Sequence, residues 1–185
     1  MKFRLLVLLC SFACCFKSFS QNHIYLKIDG INGDVVVKGH EKEFEILAFE
    51  LVGQNSASTQ VGGGGGAGKV SFSDAKIKKF LTPNTNPDLM LLVSNGKHVR
   101  DVTIMWVKSG EASSKPFYQV KLTEVIISSM SVLSPECSGS DCNNLFEEIH
   151  FNYGKIEWSG SVQNPNGSQG PTITKSWNIA ENVPG

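Results

Sequence analysis

The sequence predicts an all-β protein, a barrel or sandwich of short strands with one short packed helix. Three observations carry the prediction. Apolar and polar residues alternate with a period of two, most clearly where Leu145, Glu147, Ile149, Phe151 and Tyr153 alternate with Phe146, Glu148, His150 and Asn152. Turn-forming clusters such as DGINGD, residues 29–34, separate the alternating runs. Only one stretch, TPNTNPDLMLLVSNGKH from Thr82 to His98, carries helix start and stop signals. The chain has 185 residues, of which 41% are hydrophobic and 18% charged, enough for one domain with a substantial core.

The first twenty residues form a separate segment. Lys2 and Arg4 precede an apolar run from Leu5 to Phe16, and Ser18 and Ser20 set small residues at −3 and −1 before Gln21. This is the layout of a secretory signal, with cleavage expected between Ser20 and Gln21 and a single domain over residues 21–185. The run is shorter than the roughly 20 residues a bilayer span needs, so no stable membrane insertion is expected after its removal. Removal of Lys2, Arg4 and Lys17 leaves 14 basic residues against 17 acidic ones, a net charge of about −3. Nucleic acid is thereby excluded as the main partner, because phosphate neutralisation needs a basic face. Cys10, Cys14 and Cys15 leave with the signal, and only Cys137 and Cys142 remain, in ECSGSDC. An even pair in a short polar loop of an exported chain predicts a Cys137–Cys142 disulfide.

In order, Ile24–Ile28 is a short strand entering the DGINGD turn, and Val35–Val37 is the next. In the stretch that follows, Phe44, Ile46 and Ala48 share one strand face and Glu45, Leu47 and Phe49 the other. His40 and Glu41 begin a zinc-protease HExxH, but Phe44 stands where the second histidine belongs, so His40 reads as a surface residue on a strand rim. Val70 and Phe72 are in strand phase, while Ile77 is out of it, which predicts a bulge near Ser73–Ala75. Lys76, Lys78 and Lys79 read as a solvated basic face. In the helical stretch Asn86 is the expected cap, Pro87 the first helical residue and Asn95–Gly96 the stop. Residues 89–93 are apolar on nearly every side, so the helix is expected to be largely buried. His98, just past its end, reads as a structural or interface residue. Val102–Val107 is a strand, Phe117–Leu133 is long enough to bend or to serve two sheets, and Trp177 and Ile179 are expected core anchors near the C-terminus.

The most distinctive stretch is VGGGGGAGKV, Val61–Val70. A phosphate-binding loop needs G-x-x-x-x-G-K followed by Ser or Thr, and a helix after it. Gly63, Gly68 and Lys69 fit, but Val70 replaces the hydroxyl residue and the following residues alternate as a strand. The run therefore reads as a loop for contact with another chain, comprising Val61, Gly62, Gly63, Gly64, Gly65, Gly66, Ala67 and Gly68. No nucleophile–base pair, carboxylate pair or metal cluster emerges from the sequence, so no enzyme activity, cofactor or metal is expected.

GHEKEFEILAF, GGGGGAGKV, LMLLVSNGKH, FYQVKLTEVIISS and SWNIAENV, in this order and spacing, resemble the Hcp family, the hemolysin-coregulated tube proteins of bacterial type VI secretion systems. The resemblance runs from about Ile24 to Val183. It implies a β-barrel of two sheets with one short packed α-helix. It also implies homohexameric rings that stack into a tube carrying effector proteins, with the secretion apparatus as further partner. Three features depart from the family pattern: the N-terminal signal, the Cys137–Cys142 pair, and Leu51 where an aromatic residue often follows EILAF. The first two point to a secreted protein, whereas the family assembles in the cytoplasm. The alternative function is an exported Hcp-like effector, carrier or surface-binding protein acting outside a cytoplasmic tube.

Overall fold

The computed structural model describes residues 22–56, 69–108, 115–134, 144–164 and 168–185. Among them are eleven strands and one helix, in the order β1 (Asn22–Ile28), β2 (Phe44–Glu45), β3 (Ala48–Glu50), β4 (Gly53–Asn55), β5 (Val70–Phe72), β6 (Ala75–Phe80), α1 (Asn86–Asn95), β7 (Val99–Lys108), β8 (Tyr118–Leu133), β9 (Phe146–Gln163), β10 (Gln169–Asn178) and β11 (Val183–Pro184).

The long antiparallel pair β8–β9 organises the rest. Its first half in β8 pairs with β7, and β7 with β1, giving the path β11-β10-β9-β8-β7-β1-β2. The N-terminal half of β9 also pairs with β6, and β6 with β3. Of the two alternatives for Phe117–Leu133, service in two sheets is not met, because β8 lies in one sheet between β7 and β9. The bend falls at Glu124, whose φ is 58°, opposite Gly154. Just beyond it, the register slips between Ile127 and Ser129, leaving Ser128 as the extra residue of a bulge.

The two-sheet barrel of the sequence reading is corrected in one respect. The strands are all antiparallel and wrap one core, but they do not close into a barrel. They form a nine-stranded sheet, and β4 and β5 make a separate two-stranded ribbon. The interruption falls between β2 and β3, where the Ile46 amide donates to Ile24 O at 2.9 Å and the Leu47 amide to Lys78 O at 2.7 Å. Those two bonds hand the segment from β1 to β6 without a continuous ladder.

The core lies on one face of this sheet. Leu26, Ile28, Phe44, Ile46, Ile77, Leu89, Val102, Ile104, Leu122, Ile127, Ile149, Phe151 and Ile156 are all buried in one cluster. The alternation read at 145–153 holds for Ile149, Phe151 and Tyr153, and it also carries Glu147 into the interior. Trp177 and Ile179 pack against the core, partly buried.

Four local expectations are corrected. Val35–Val37 forms no strand; Val35 N and O bond to Glu43 and Lys42, and Val36 is 89% exposed at the tip of that loop. The irregularity expected at Ser73–Ala75 is a break between β5 and β6, and the register shifts fall instead in β8 and β10. The helix is capped at Thr85 rather than Asn86, and its side chain makes no capping bond. Gly96, with φ 62°, ends the helix in the left-handed conformation that glycine tolerates. The helix is also less buried than its apolar run implied: only Leu89 is fully buried, while Met90 and Leu91 are 40% and 60% exposed.

Candidate assembly surface

The β4–β5 ribbon stands apart from the main sheet and leads into residues 57–68. Its ladder pairs Gly53 with Phe72, Gln54 with Ser71 and Asn55 with Val70. A side chain at Gly53 would meet the Phe72 ring at 2.9 Å, so glycine lets the ring lie over the partner strand. The Phe72 ring in turn sits 5.8 Å from the Trp158 ring of β9, tying the ribbon to the body. The predicted contact residues Val61 to Gly68 lie outside the described residues, as do Ser20, Gln21, Cys137 and Cys142. What the structure does place is the base from which the glycine-rich run departs.

A polar cluster holds that base. Asp74, between β5 and β6, accepts hydrogen bonds from Ser128 Oγ at 2.5 Å and from Asn152 Nδ2 at 2.8 Å. Tyr153 donates to Ser73 O at 3.1 Å, and Ser73 Oγ accepts from the Val52 amide. Burial, and secondarily the Asp74 carboxylate, push the Tyr153 hydroxyl far above its usual titration range, so it stays a donor.

A second element is the β10 edge. β11 pairs only with Trp177 and Asn178, and Gly185 N reaches Ser176 O. Thr172–Lys175 is thus an edge among the described residues, with Ile173 68% exposed. Open edges of this kind are templates for pairing with another chain. The solvent face of the same sheet is polar: Lys27, Thr103, Lys121, Glu157 and Ser176 form one cross-strand row over five strands.

The titratable residues do not assemble a reaction centre among the described residues. His23, His40 and His150 bond to Glu45, Glu43 and Glu148 at 2.6, 2.8 and 2.9 Å. Among the described residues no group of three His, Cys, Asp or Glu side chains is arranged to hold a metal ion. His40, read as a rim residue, is buried in the loop before β2 and stacks on Tyr25 at 4.2 Å. His98 is exposed after α1. Lys79, read with Lys76 and Lys78 as solvated, is 1% exposed and meets the fully buried Glu147 at 2.5 Å. Its ammonium donates to Thr82 Oγ1 and Phe80 O and lies 4.8 Å over the Phe44 ring. Asn86 Nδ2 donates to Glu147 Oε1, so the pair also pins the start of α1 to the sheet. A signal for this was present in the sequence: Lys79 is in phase with Ala75 and Ile77, and Glu147 with Ile149 and Phe151.

Residues 25–159 match the profile of the family described as "Type VI secretion system effector, Hcp". The chain belongs to the Hcp family. It is 31% identical over 161 residues to Protein hcp1 of Pseudomonas aeruginosa, covering 86% of this chain and 96% of that protein. Its fold is similar to a solved type six secretion system protein, with a TM-score of 0.80 at 24% identity, covering 89% of this chain and 100% of the other. It is also similar to Hcp1 from Salmonella typhimurium, with a TM-score of 0.70 at 23% identity over 88% and 98% of the two chains. The Hcp match runs from Tyr25 in β1 to Ser159 in β9, and so includes the ribbon and its anchoring cluster.

Proposed function

We propose that this Hcp chain is the secreted structural subunit of a type VI secretion-like tube, assembling as homohexameric rings that stack and carry effector proteins. The observation that carries the reading is the family match over residues 25–159, on a fold that spans the full length of a solved type six secretion system protein. The open β10 edge and the ribbon projecting from the sheet supply contact elements that such an assembly uses. Sedimentation of residues 21–185 across a wide concentration range tests ring formation. A hexamer is expected, and a strict monomer refutes the ring. Within this reading Val61–Gly68 lies at a contact between rings, where glycines let backbones approach. Replacing Gly64 and Gly65 by leucine then abolishes stacking while circular dichroism stays unchanged, and normal stacking removes the loop from the interface.

The second reading, an exported Hcp-like effector, carrier or surface-binding protein acting outside a cytoplasmic tube, is favoured by the signal layout of residues 1–20 and by Cys137 and Cys142. N-terminal sequencing of native protein decides whether the mature chain begins at Gln21. Mass spectrometry of freshly trapped, non-reduced peptides is expected to show the Cys137–Cys142 link. Two free thiols instead place the chain in a reducing compartment and favour the cytoplasmic tube.

A further inference from the structure

We infer that Asp74 is a positioning residue that fixes the angle at which the β4–β5 ribbon leaves the sheet. Two features of the fold converge on its carboxylate. The bulge in β8 falls at Ser128, left unpaired where the register passes from Ile127–Phe151 to Ser129–His150, and its hydroxyl is delivered to Asp74 Oδ2 at 2.5 Å while lying 3.2 Å from His150 O. From the next strand, Asn152 Nδ2 donates to Asp74 Oδ1 at 2.8 Å. Both carboxylate oxygens are therefore engaged, one by β8 and one by β9, at the point where the chain passes from ribbon to sheet. A carboxylate that accepts two directed bonds from different strands restrains rotation of its backbone as well as its position.

The ribbon's other ties lie on either side of this point. Ser73 N donates to Val52 O at 2.9 Å, the Val52 amide donates to Ser73 Oγ at 3.1 Å, and Tyr153 holds Ser73 O. The Phe72–Trp158 contact limits tilt on the apolar side. Ribbon residues 53–56 are exposed, so little packing of their own fixes their direction. The direction is set at the base, and the base is set by Asp74. The ladder between β4 and β5 holds the ribbon together, and the clamp aims it.

The test is amide exchange read by mass spectrometry on Asp74→Ala, Ser128→Ala and Asn152→Ala, each compared with the parent protein and with Asp74→Asn. Loss of a hydrogen bond to a charged group corresponds to roughly tenfold or more in local opening. Exchange in peptides covering 50–56 and 69–74 is expected to rise by that factor in the alanine variants and by less in Asp74→Asn, which keeps one acceptor. Peptides from β7 and β8 and the denaturation midpoint are expected to hold. Unchanged exchange at the ribbon base overturns the inference, and so does a uniform rise across all strands, which marks a general stabilising role. A consequence for stacking rests on the tube reading: rings of Asp74→Ala form normally but stack less. If the parent protein forms no rings, the tube reading fails and the clamp is judged by exchange alone. If rings form and Asp74→Ala stacks normally, the clamp's link to stacking is overturned.

Discussion

Replacing Glu147 by glutamine is the most incisive test of how this fold is held. The carboxylate is fully buried, its Oε2 faces the Lys79 ammonium at 2.5 Å, and its Oε1 accepts from Asn86. Glutamine keeps the shape and a possible bond to Asn86 but removes the charge. Lys79 is then left 1% exposed with only two neutral oxygens and the Phe44 ring around it. Breaking a buried pair from one side costs about 3–5 kcal/mol, because the remaining charge has lost its water and its partner. For a chain of this size that lowers Tm by about 6–20 °C. The double replacement Lys79→Leu, Glu147→Leu removes both charges together and is expected to cost far less than the sum of the single changes, since apolar replacement of a buried pair is often neutral. Urea denaturation of the parent, both single variants and the double variant gives the cycle. If Glu147→Gln costs less than about 1 kcal/mol, in the range of exposed pairs, the pair is solvated and the argument fails.

Other changes separate packing from geometry. Phe44→Ala, at a fully buried side chain beneath the Lys79 ammonium, is expected to cost about 3–5 kcal/mol in the same denaturation assay. Gly33→Ala sets a Cβ 2.1 Å from Glu43 O and 2.7 Å from Phe44 N, both backbone, and is expected to cost about 1–3 kcal/mol as the loop before β2 is pushed off. Gly154→Ala meets Glu124 Oε2 at 2.6 Å, the far end of an exposed side chain paired with Lys155, and Glu124 Cβ at 3.3 Å, so it is expected to cost about 1 kcal/mol. The His150 hydrogen bond, followed by the charges of His150, Lys76 and Lys78, holds Glu148 below its ordinary value of 4.5. A carboxyl lowered in the folded state adds stability above its unfolded value and loses it as pH falls through the folded one. The small difference between the parent and Glu148→Gln is therefore expected at pH 6 and shrinks as pH falls below 4.5, and a difference that grows there contradicts the pairing.

The parts of this structure legible in the sequence were those set by local period and turn chemistry. Alternation located β9, the apolar phase of Val102–Val107 located β7, and Gly96 ended the helix as read. The length of segment 117–133 was legible as a bend or as service in two sheets, and only the backbone at Glu124 and the single sheet decide between them. What was not legible depends on which residues meet across strands. Period two puts Lys79 in phase with the buried Ala75 and Ile77, but its partner is not legible in the sequence, because only the pairing of β6 with β9 sets it beside Glu147. His40 reads as a rim residue because nothing nearby in sequence announces Tyr25 as its stacking partner.

The same distinction explains the assembly surface. The glycine run was conspicuous, and composition alone marked it for contact. The residues that hold the base of the β4–β5 ribbon were not conspicuous, since Ser128 and Asn152 are ordinary polar residues 54 and 78 positions from Asp74. Their grouping requires a one-residue slip in β8. Without it, Ser128 would take a regular ladder position and its hydroxyl would follow the period of its neighbours. The slip moves one hydroxyl out of that period and toward the base of the ribbon. A β-bulge in this fold is therefore a device of aim, and the single most informative position for how the ribbon is held is a serine that period-two reading passes over.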